Sequence, residues 1–317
     1  MSLLEKSKKI KILDGGLACD LFINGNVDKE SLNNDPLWIG RVLFENPDEI
    51  KMAHRRFIRA GCDVITTGSY QCSVAGFLKH TPLSEEKAKQ LIGSTVDIAK
   101  EAILEEKCGR EIEIAASISP YGATLHDFSE YNGSYIDGLS EKDLMEFHFP
   151  NVITFLKKDV KLFAVETCPA LKEARAILKL IECSPEVKAW VSFTTTDGHA
   201  TAYGDDFRQV FSELSQNKQV IAVGVNCCLT EHVLKAACEA EGRLGDHQSF
   251  IAYPNKFVSN EKGYASKGSV PWRPYVKSWL ETGIFGYVGG CCMVEPKDIS
   301  TLKREVRRWK PPKHPNH

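Results

Sequence analysis

Two cysteine doublets, Cys227-Cys228 and Cys291-Cys292, are the residues of this sequence whose type and spacing point most directly to chemistry. Gly224-Val225-Asn226 precedes the first and Gly289-Gly290 the second. Neighbouring residues on a strand point to opposite faces, so only one of Cys227 and Cys228 can face inward if the strand persists. After Gly289-Gly290 the backbone can turn freely, and Cys291 and Cys292 can both converge on one point. Three thiolates gathered this way suit zinc, with a fourth position open to water or substrate. The spacing is not that of a zinc finger or ribbon, because there is no C-x2-C pair and no H-E-x-x-H. The same cysteines admit blander readings: small buried groups filling crowded strand ends, a closed structural site using all four, or a redox pair, strained where the two are adjacent.

These thiols need a scaffold that brings distant segments together. Short β-branched runs recur at 10–13, 63–67, 113–117, 161–166, 189–194, 220–226, 250–253 and 284–288. Between them lie stretches with helical spacing at 48–59, 85–106, 141–157, 171–182, 206–216, 231–241 and 272–282. Strands alternating with helices predict a parallel sheet with right-handed crossovers. Eight such units in 317 residues predict an α/β fold of the (β/α)8 TIM-barrel kind, a single domain over 1–317 with a short disordered tail at 311–317. Two long stretches without periodicity, 119–139 and 255–271, follow the third and seventh strands, where long loops tend to be functional.

In such a barrel the active site forms at the C-terminal strand ends. There the sequence places Asp14-Gly15-Gly16, Thr66-Thr67-Gly68-Ser69-Tyr70, Ser119-Pro120-Tyr121-Gly122, Glu166-Thr167, Asn226-Cys227-Cys228, Tyr253-Pro254-Asn255 and Gly289-Gly290-Cys291-Cys292. Asp14 and Glu166 can bind an ammonium group, or cap the helix that follows. No strand ends in lysine, which argues against a Schiff-base lyase.

Composition narrows the partners. A net charge of −2 offers no field for nucleic acid or an anionic membrane, and the basic run Lys303, Arg304, Arg307, Arg308, Lys310 reads as a solvated helix face. No run approaches the roughly 18 apolar residues of a membrane span. Residues 1–11 carry lysines without the apolar core of a secretory signal. Eleven cysteines, an odd number, therefore read as reduced thiols in a cytoplasmic protein, most of them buried packing.

Taken in order and spacing, Asp14-Gly15-Gly16, the run 60–67, Ser69-Tyr70-Gln71, Pro120-Tyr121-Gly122-Ala123, Ser129-Glu130-Tyr131, Glu166-Thr167, Gly224-Val225-Asn226-Cys227, Tyr253-Pro254-Asn255 and Gly289-Gly290-Cys291-Cys292 resemble the homocysteine S-methyltransferase family from about residue 10 to 308. The Ser-Tyr-Gln and Ser-Glu-Tyr segments are closest to the branch that uses S-methylmethionine or S-adenosylmethionine, and further from the betaine and folate/cobalamin branches. The resemblance implies a zinc ion on Cys227, Cys291 and Cys292. It also implies a homocysteine ammonium held by Glu166 and Asp14, with backbone amides near Gly15 and Gly16 for its carboxylate. The substrates expected are small molecules, with no nucleic acid or membrane partner. No catalytic side chain beyond the zinc site is expected, because a metal-held thiolate attacking a sulfonium methyl needs no strong acid.

Tyr70, Tyr121, Tyr131 and Glu130 are the candidates for meeting the cationic donor. One departure from the family pattern stands after Tyr253-Pro254-Asn255, where Lys256-Phe257-Val258-Ser259 replaces the usual Ser-Gly-Glu stretch. The rival reading is a non-catalytic zinc-binding or thiol redox-sensing barrel built on the same cysteines.

Overall fold

A computed structural model describes residues 10–256, 258–260, 263–265 and 273–309. Its strands in chain order are β1 (Lys11–Ile12), β2 (Val64–Thr66), β3 (Glu113–Ile118), β4 (Leu162–Cys168), β5 (Lys188–Phe193), β6 (Val220–Asn226) and β7 (Ser249–Tyr253), then the antiparallel hairpin β8 (Val258–Asn260) and β9 (Gly263–Ala265), and β10 (Phe285–Val288). Eight of them form one sheet in the order β1-β10-β7-β6-β5-β4-β3-β2, with every pairing parallel. This is the expected TIM-type barrel, nearly closed, and its ring order places the ends of β6 and β10 on either side of β7.

The helices flanking it are α1 (Leu17–Ile23), α2 (Lys29–Asn34), α3 (Ile39–Glu45), α4 (Pro47–Ala60), α5 (Val74–His80), α6 (Glu85–Glu106), α7 (Glu141–Lys157), α8 (Leu171–Ile181), α9 (Phe207–Leu214), α10 (Thr230–Ala240), α11 (Arg273–Glu281) and α12 (Pro296–Arg308). Local chemistry sets their ends. In α4, Pro47 opens the first turn with Asp48 and Glu49 beside it, and Gly61 at φ 106° closes the last. Ser140 and Asp143 form a reciprocal capping box at the start of α7. The inner faces of the helices pack on the outer face of the barrel in one large apolar layer. A smaller cluster fills the barrel itself, where the Trp190 indole shares the interior with Ala115, Ala164 and Ala222.

Between the two short strands β1 and β2 side chains supplement the backbone pairing. The Asp63 amide donates to Ile12 O at 2.6 Å, and the Asp63 carboxylate accepts the Ile12 N–H at 3.1 Å. One layer nearer the mouth, the Asp14 carboxylate accepts the Thr66 N–H at 2.8 Å. Two carboxylates thus satisfy amides that a strand ladder would otherwise satisfy.

The expected strands and long helices agree with these bounds to within a few residues. The connection after β1 is richer than the sequence suggested, carrying α1, α2 and α3, each too short for a periodic pattern to declare itself. The stretch 119–139 is built from 3-10 turns at Tyr121–Thr124, Ser129–Tyr131 and Ile136–Gly138. The stretch 255–271 contains the β8/β9 hairpin. Phe257, Lys310 and the expected tail at 311–317 lie outside the described residues, as do residues 1–9. Among the described residues no helix is long and apolar enough to cross a membrane.

Asp63→Ala strands the amide of Ile12, which is 2% exposed, so it is expected to lower unfolding stability by about 1–3 kcal/mol in a denaturant titration. A loss below about 0.5 kcal/mol would mean that water or a neighbouring group replaces the carboxylate.

Candidate metal and substrate site

The strand ends leave the barrel through strained turns. β6 ends at Asn226, and Cys227 turns into the left-handed region at φ 49°; Thr167, near the end of β4, does the same at φ 60°. The Asn226 side chain ties the two together across β5, its Nδ2 donating to Thr167 Oγ1 at 2.7 Å and its Oδ1 accepting the Thr167 N–H at 2.8 Å. Backbone of this kind holds only where surrounding bonds over-determine it. The turn separates the doublet: Cys227 lines the cavity, whereas Cys228 joins the outer apolar layer with Cys62, Cys72 and Cys168. Burial pushes the Cys228 thiol well up, as befits inert packing.

Asn255, just past β7, brackets the two cysteine loops. Its N–H donates to Cys228 O at 2.9 Å, its Oδ1 accepts the Cys292 N–H at 3.0 Å, and its carbonyl accepts Thr230 Oγ1 at 3.1 Å. Cys291 N–H donates to Pro254 O at 2.9 Å, and Lys256 N–H to Cys292 O at 3.0 Å. Gly16 lies so close to this loop that a Cβ there would sit 2.5 Å from Cys291 O; at Gly15 it would meet Val294 O at 2.5 Å. The two glycines thus let the first loop pack against the last. The amide of Gly16 donates to Val294 O at 3.0 Å, which removes it from the donors expected for a substrate carboxylate.

The sulfur atoms of Cys227, Cys291 and Cys292 lie within 4.8 Å of one another, with Cys227–Cys292 at 3.6 Å and Cys291–Cys292 at 4.0 Å. Tetrahedral zinc with bonds of about 2.3 Å separates its sulfur ligands by roughly 3.8 Å, so these donors fit the ion with little movement. Hydrogen bonds from Cys291 and then Cys292 hold the Cys227 thiol well below its ordinary value despite burial, and the Tyr131 hydroxyl stands 3.2 Å from its sulfur. A fourth thiol, Cys19 on α1, also lines the cavity; it hydrogen-bonds with Cys292 and accepts the Met293 N–H at 3.3 Å. Sequence reasoning did not single out Cys19, whose only signal was its place five residues after Asp14.

Beneath the thiols lies a buried polar floor. Glu166 accepts Ser117 Oγ at 2.5 Å and Tyr253 Oη at 3.0 Å, and Tyr253 Oη in turn accepts Trp190 Nε1 at 3.0 Å. Burial pushes Glu166 up to about 7, opposed by these hydrogen bonds. Burial pushes Asp14 up to about 8, against the Thr66 hydrogen bond and reinforced by the charge of Glu166. Two carboxyls raised this way lack a cation, and among the described residues lining the cavity there is no lysine, arginine or histidine. Leu17, Trp38, Ile39 and Tyr70 complete the walls.

Of the expected site residues, the structure gathers Asp14, Gly15, Gly16, Tyr131, Glu166, Cys227, Cys291 and Cys292 around this one cavity. It does not bring Tyr121 to the cavity wall. The Tyr121 ring packs against Tyr135 at 5.4 Å and Phe147 at 4.8 Å, because its amide is tethered to the buried Glu173 carboxylate at 2.6 Å.

Comparison with known proteins agrees with this geometry. The sequence profile described as homocysteine S-methyltransferase matches residues 11–306. Homocysteine S-methyltransferase YbgG of Bacillus subtilis is 34% identical over 310 residues, covering 94% of this chain and 93% of that one. A betaine-homocysteine S-methyltransferase of Drosophila melanogaster is 32% identical, covering 95% of each chain. The metallated form of the homocysteine methyltransferase MmuM from Escherichia coli superimposes with a TM-score of 0.81 at 33% identity, covering 95% of this chain and 98% of that one.

Removing one sulfur should separate ligand from bystander. Cobalt(II) titration of chelator-treated protein is expected to give intense thiolate-to-metal absorption. Cys227→Ser should weaken cobalt binding by more than the roughly 10–100-fold that an outer-shell change costs, whereas Cys228→Ala should leave the spectrum unchanged. An altered spectrum in Cys228→Ala would mean that the doublet is assigned the wrong way round.

Proposed function

The chain belongs to the homocysteine S-methyltransferase family and is an enzyme of that type, and from this premise we propose that it moves a methyl group from a sulfonium donor, S-methylmethionine or S-adenosylmethionine, to the thiol of homocysteine on a zinc site made by Cys227, Cys291 and Cys292. The observation that carries this reading is one cavity holding three convergent thiols, two buried carboxyls raised by desolvation, and no cationic side chain among its described lining. Such a site is short of positive charge, and the ion, the homocysteine ammonium and a sulfonium supply it. When bound, Zn2+ supplies the charge that keeps the homocysteine sulfur deprotonated and nucleophilic at neutral pH.

The chain's own residues do the rest. Glu166, fixed from below by Ser117 and Tyr253, receives the homocysteine ammonium, with Asp14 beside it on the β1–β2 seam. The Gly15 amide is the donor assigned to the homocysteine carboxylate. Tyr131, through the hydroxyl 3.2 Å from Cys227, keeps an aromatic ring at the sulfur cluster, and Tyr70 and Trp38, whose rings meet edge to face 6.1 Å apart, also line the cavity. Aromatic faces attract a sulfonium through cation–π contact without pinning it with a full counter-charge; as the methyl transfers, the donor carbon–sulfur bond breaks, the electron pair stays on the departing sulfur, and the new bond forms to the homocysteine sulfur. No proton moves in that step. Leu17 and Ile39 exclude water, so holding the two sulfurs in line is the main contribution.

The test is methionine formation by reduced, zinc-loaded protein from homocysteine with S-methylmethionine, S-adenosylmethionine, betaine or a methylfolate. Turnover is expected with a sulfonium alone, and is lost on chelation and in Cys291→Ser. Turnover with betaine, or turnover that survives metal removal, overturns the reading. Glu166→Gln is expected to raise KM for homocysteine by about 10–100-fold, the value of one charge-assisted hydrogen bond.

A further inference from the structure

Besides Asp14 and Glu166, a third buried carboxyl, Glu130, stands near the sulfur cluster and takes no part in holding zinc or homocysteine. Glu130 is 5% exposed on the 3-10 turn Ser129–Tyr131, the same turn that brings the Tyr131 hydroxyl to Cys227. Its Oε2 is buried and has no hydrogen-bond partner. A carboxylate oxygen taken out of water with nothing to accept from costs several kcal/mol unless something arrives to satisfy it. Glu130 faces Cys227 and Tyr70, each of which feels its charge, and Gln71 beside Tyr70 carries a second buried, unpartnered acceptor in its Oε1.

The turn is built rather than loose. Gly122 passes so close that a Cβ would lie 2.7 Å from the Glu130 amide and 2.8 Å from Ser129 Oγ. Glu173, fully buried at the start of α8, anchors the loop by accepting the Tyr121 N–H at 2.6 Å, the Tyr135 hydroxyl, and a bond with His148 Nε2 at 2.8 Å.

We propose that Glu130 is the acceptor for the α-ammonium group of an amino-acid methyl donor, which makes this turn the donor-specificity element of the site. The inference rests on the functional reading above and deepens it. Two amino acids meeting in one cavity bring two ammonium groups. Asp14 already accepts Thr66 N–H, and Glu166 accepts Ser117 and Tyr253 on the floor, so both belong to the homocysteine side. Glu130 stands behind the cavity wall beside Tyr131, near Cys227 and Tyr70, with an oxygen to spare. Its partner is the ammonium and not the sulfonium, for an energetic reason. The sulfonium charge falls on the way to the transition state and is gone in the product sulfide, so a carboxylate against it would stabilise the reactant more than the transition state; the ammonium keeps its charge throughout. A donor with a quaternary nitrogen has no N–H to offer Glu130.

The experiment compares S-methylmethionine with its des-amino analogue, dimethyl(3-carboxypropyl)sulfonium, in zinc-loaded wild type and Glu130→Gln. Wild type is expected to prefer the amino donor in kcat/KM. Glu130→Gln is expected to raise KM for S-methylmethionine about 10–100-fold, while leaving KM for homocysteine and for the des-amino donor unchanged. Equal use of the two donors by wild type overturns the inference whatever the variant does. So does a variant that keeps the preference, or one whose change falls on homocysteine. Failure of wild type to turn over any donor is a failure of the functional reading instead; calorimetric binding of S-methylmethionine to wild type and variant then decides the role of Glu130 by itself, with equal affinity counting against it.

Discussion

Where β1 meets β2, Asp63 and Asp14 supply with their side chains the acceptors that a longer strand pair would supply with its backbone. β1 is only two residues long and β2 only three, so few ladder bonds are available and the buried amides of Ile12 and Thr66 would otherwise go unmet. Closing the ring here is what directs the strand ends to one rim. Cys227 and Cys291 are separated by much of the C-terminal third of the chain, and their sulfurs meet because only β7 stands between β6 and β10. Asp14 is part of that closure and part of the cavity wall, so the cavity is built in part on the seam where the ring closes.

The mouth gathers groups that oppose one another. Thiols in contact, Glu166 and Asp14 within reach of each other's charge, and a further buried carboxyl at Glu130 all raise the free energy of an empty site. Hydrogen bonds from Ser117, Tyr253 and Thr66 offset part of this, and the well-packed ring around Trp190 holds the groups where they would not otherwise stay. A site of this kind favours a positively charged occupant.

The two halves of the site differ in construction. The floor carboxyls and the sulfur cluster hang on strand ends fixed by Asn226 and Asn255, each bridging segments that are not neighbours in sequence. The loop 119–139, which brings Tyr131 to the cavity, is held at its base by Glu173 and shows Phe128, 68% exposed, at its tip. A rigid scaffold with variable loops allows one half to change its partner while the other keeps its chemistry.

Much of this was legible from residue order. β-branched runs alternating with amphipathic stretches specified the barrel, because strand and helix periodicity are local properties. The glycines before Cys291 and the strand ending at Cys227 marked the thiols, because one strand can turn only one of two adjacent side chains inward. Other features became visible only in three dimensions. The short helices α1, α2 and α3 lack enough turns to show a period. Cys19 gains its meaning only by packing against the Cys292 loop, and Tyr121 loses its place at the site only through Glu173, more than fifty residues away in sequence. Parity and periodicity are written along the chain, whereas burial, desolvation and the meeting of distant loops are made by closing the ring. That is why the sequence determined which residues could do chemistry, and the tertiary structure decided which of them stand close enough to do it.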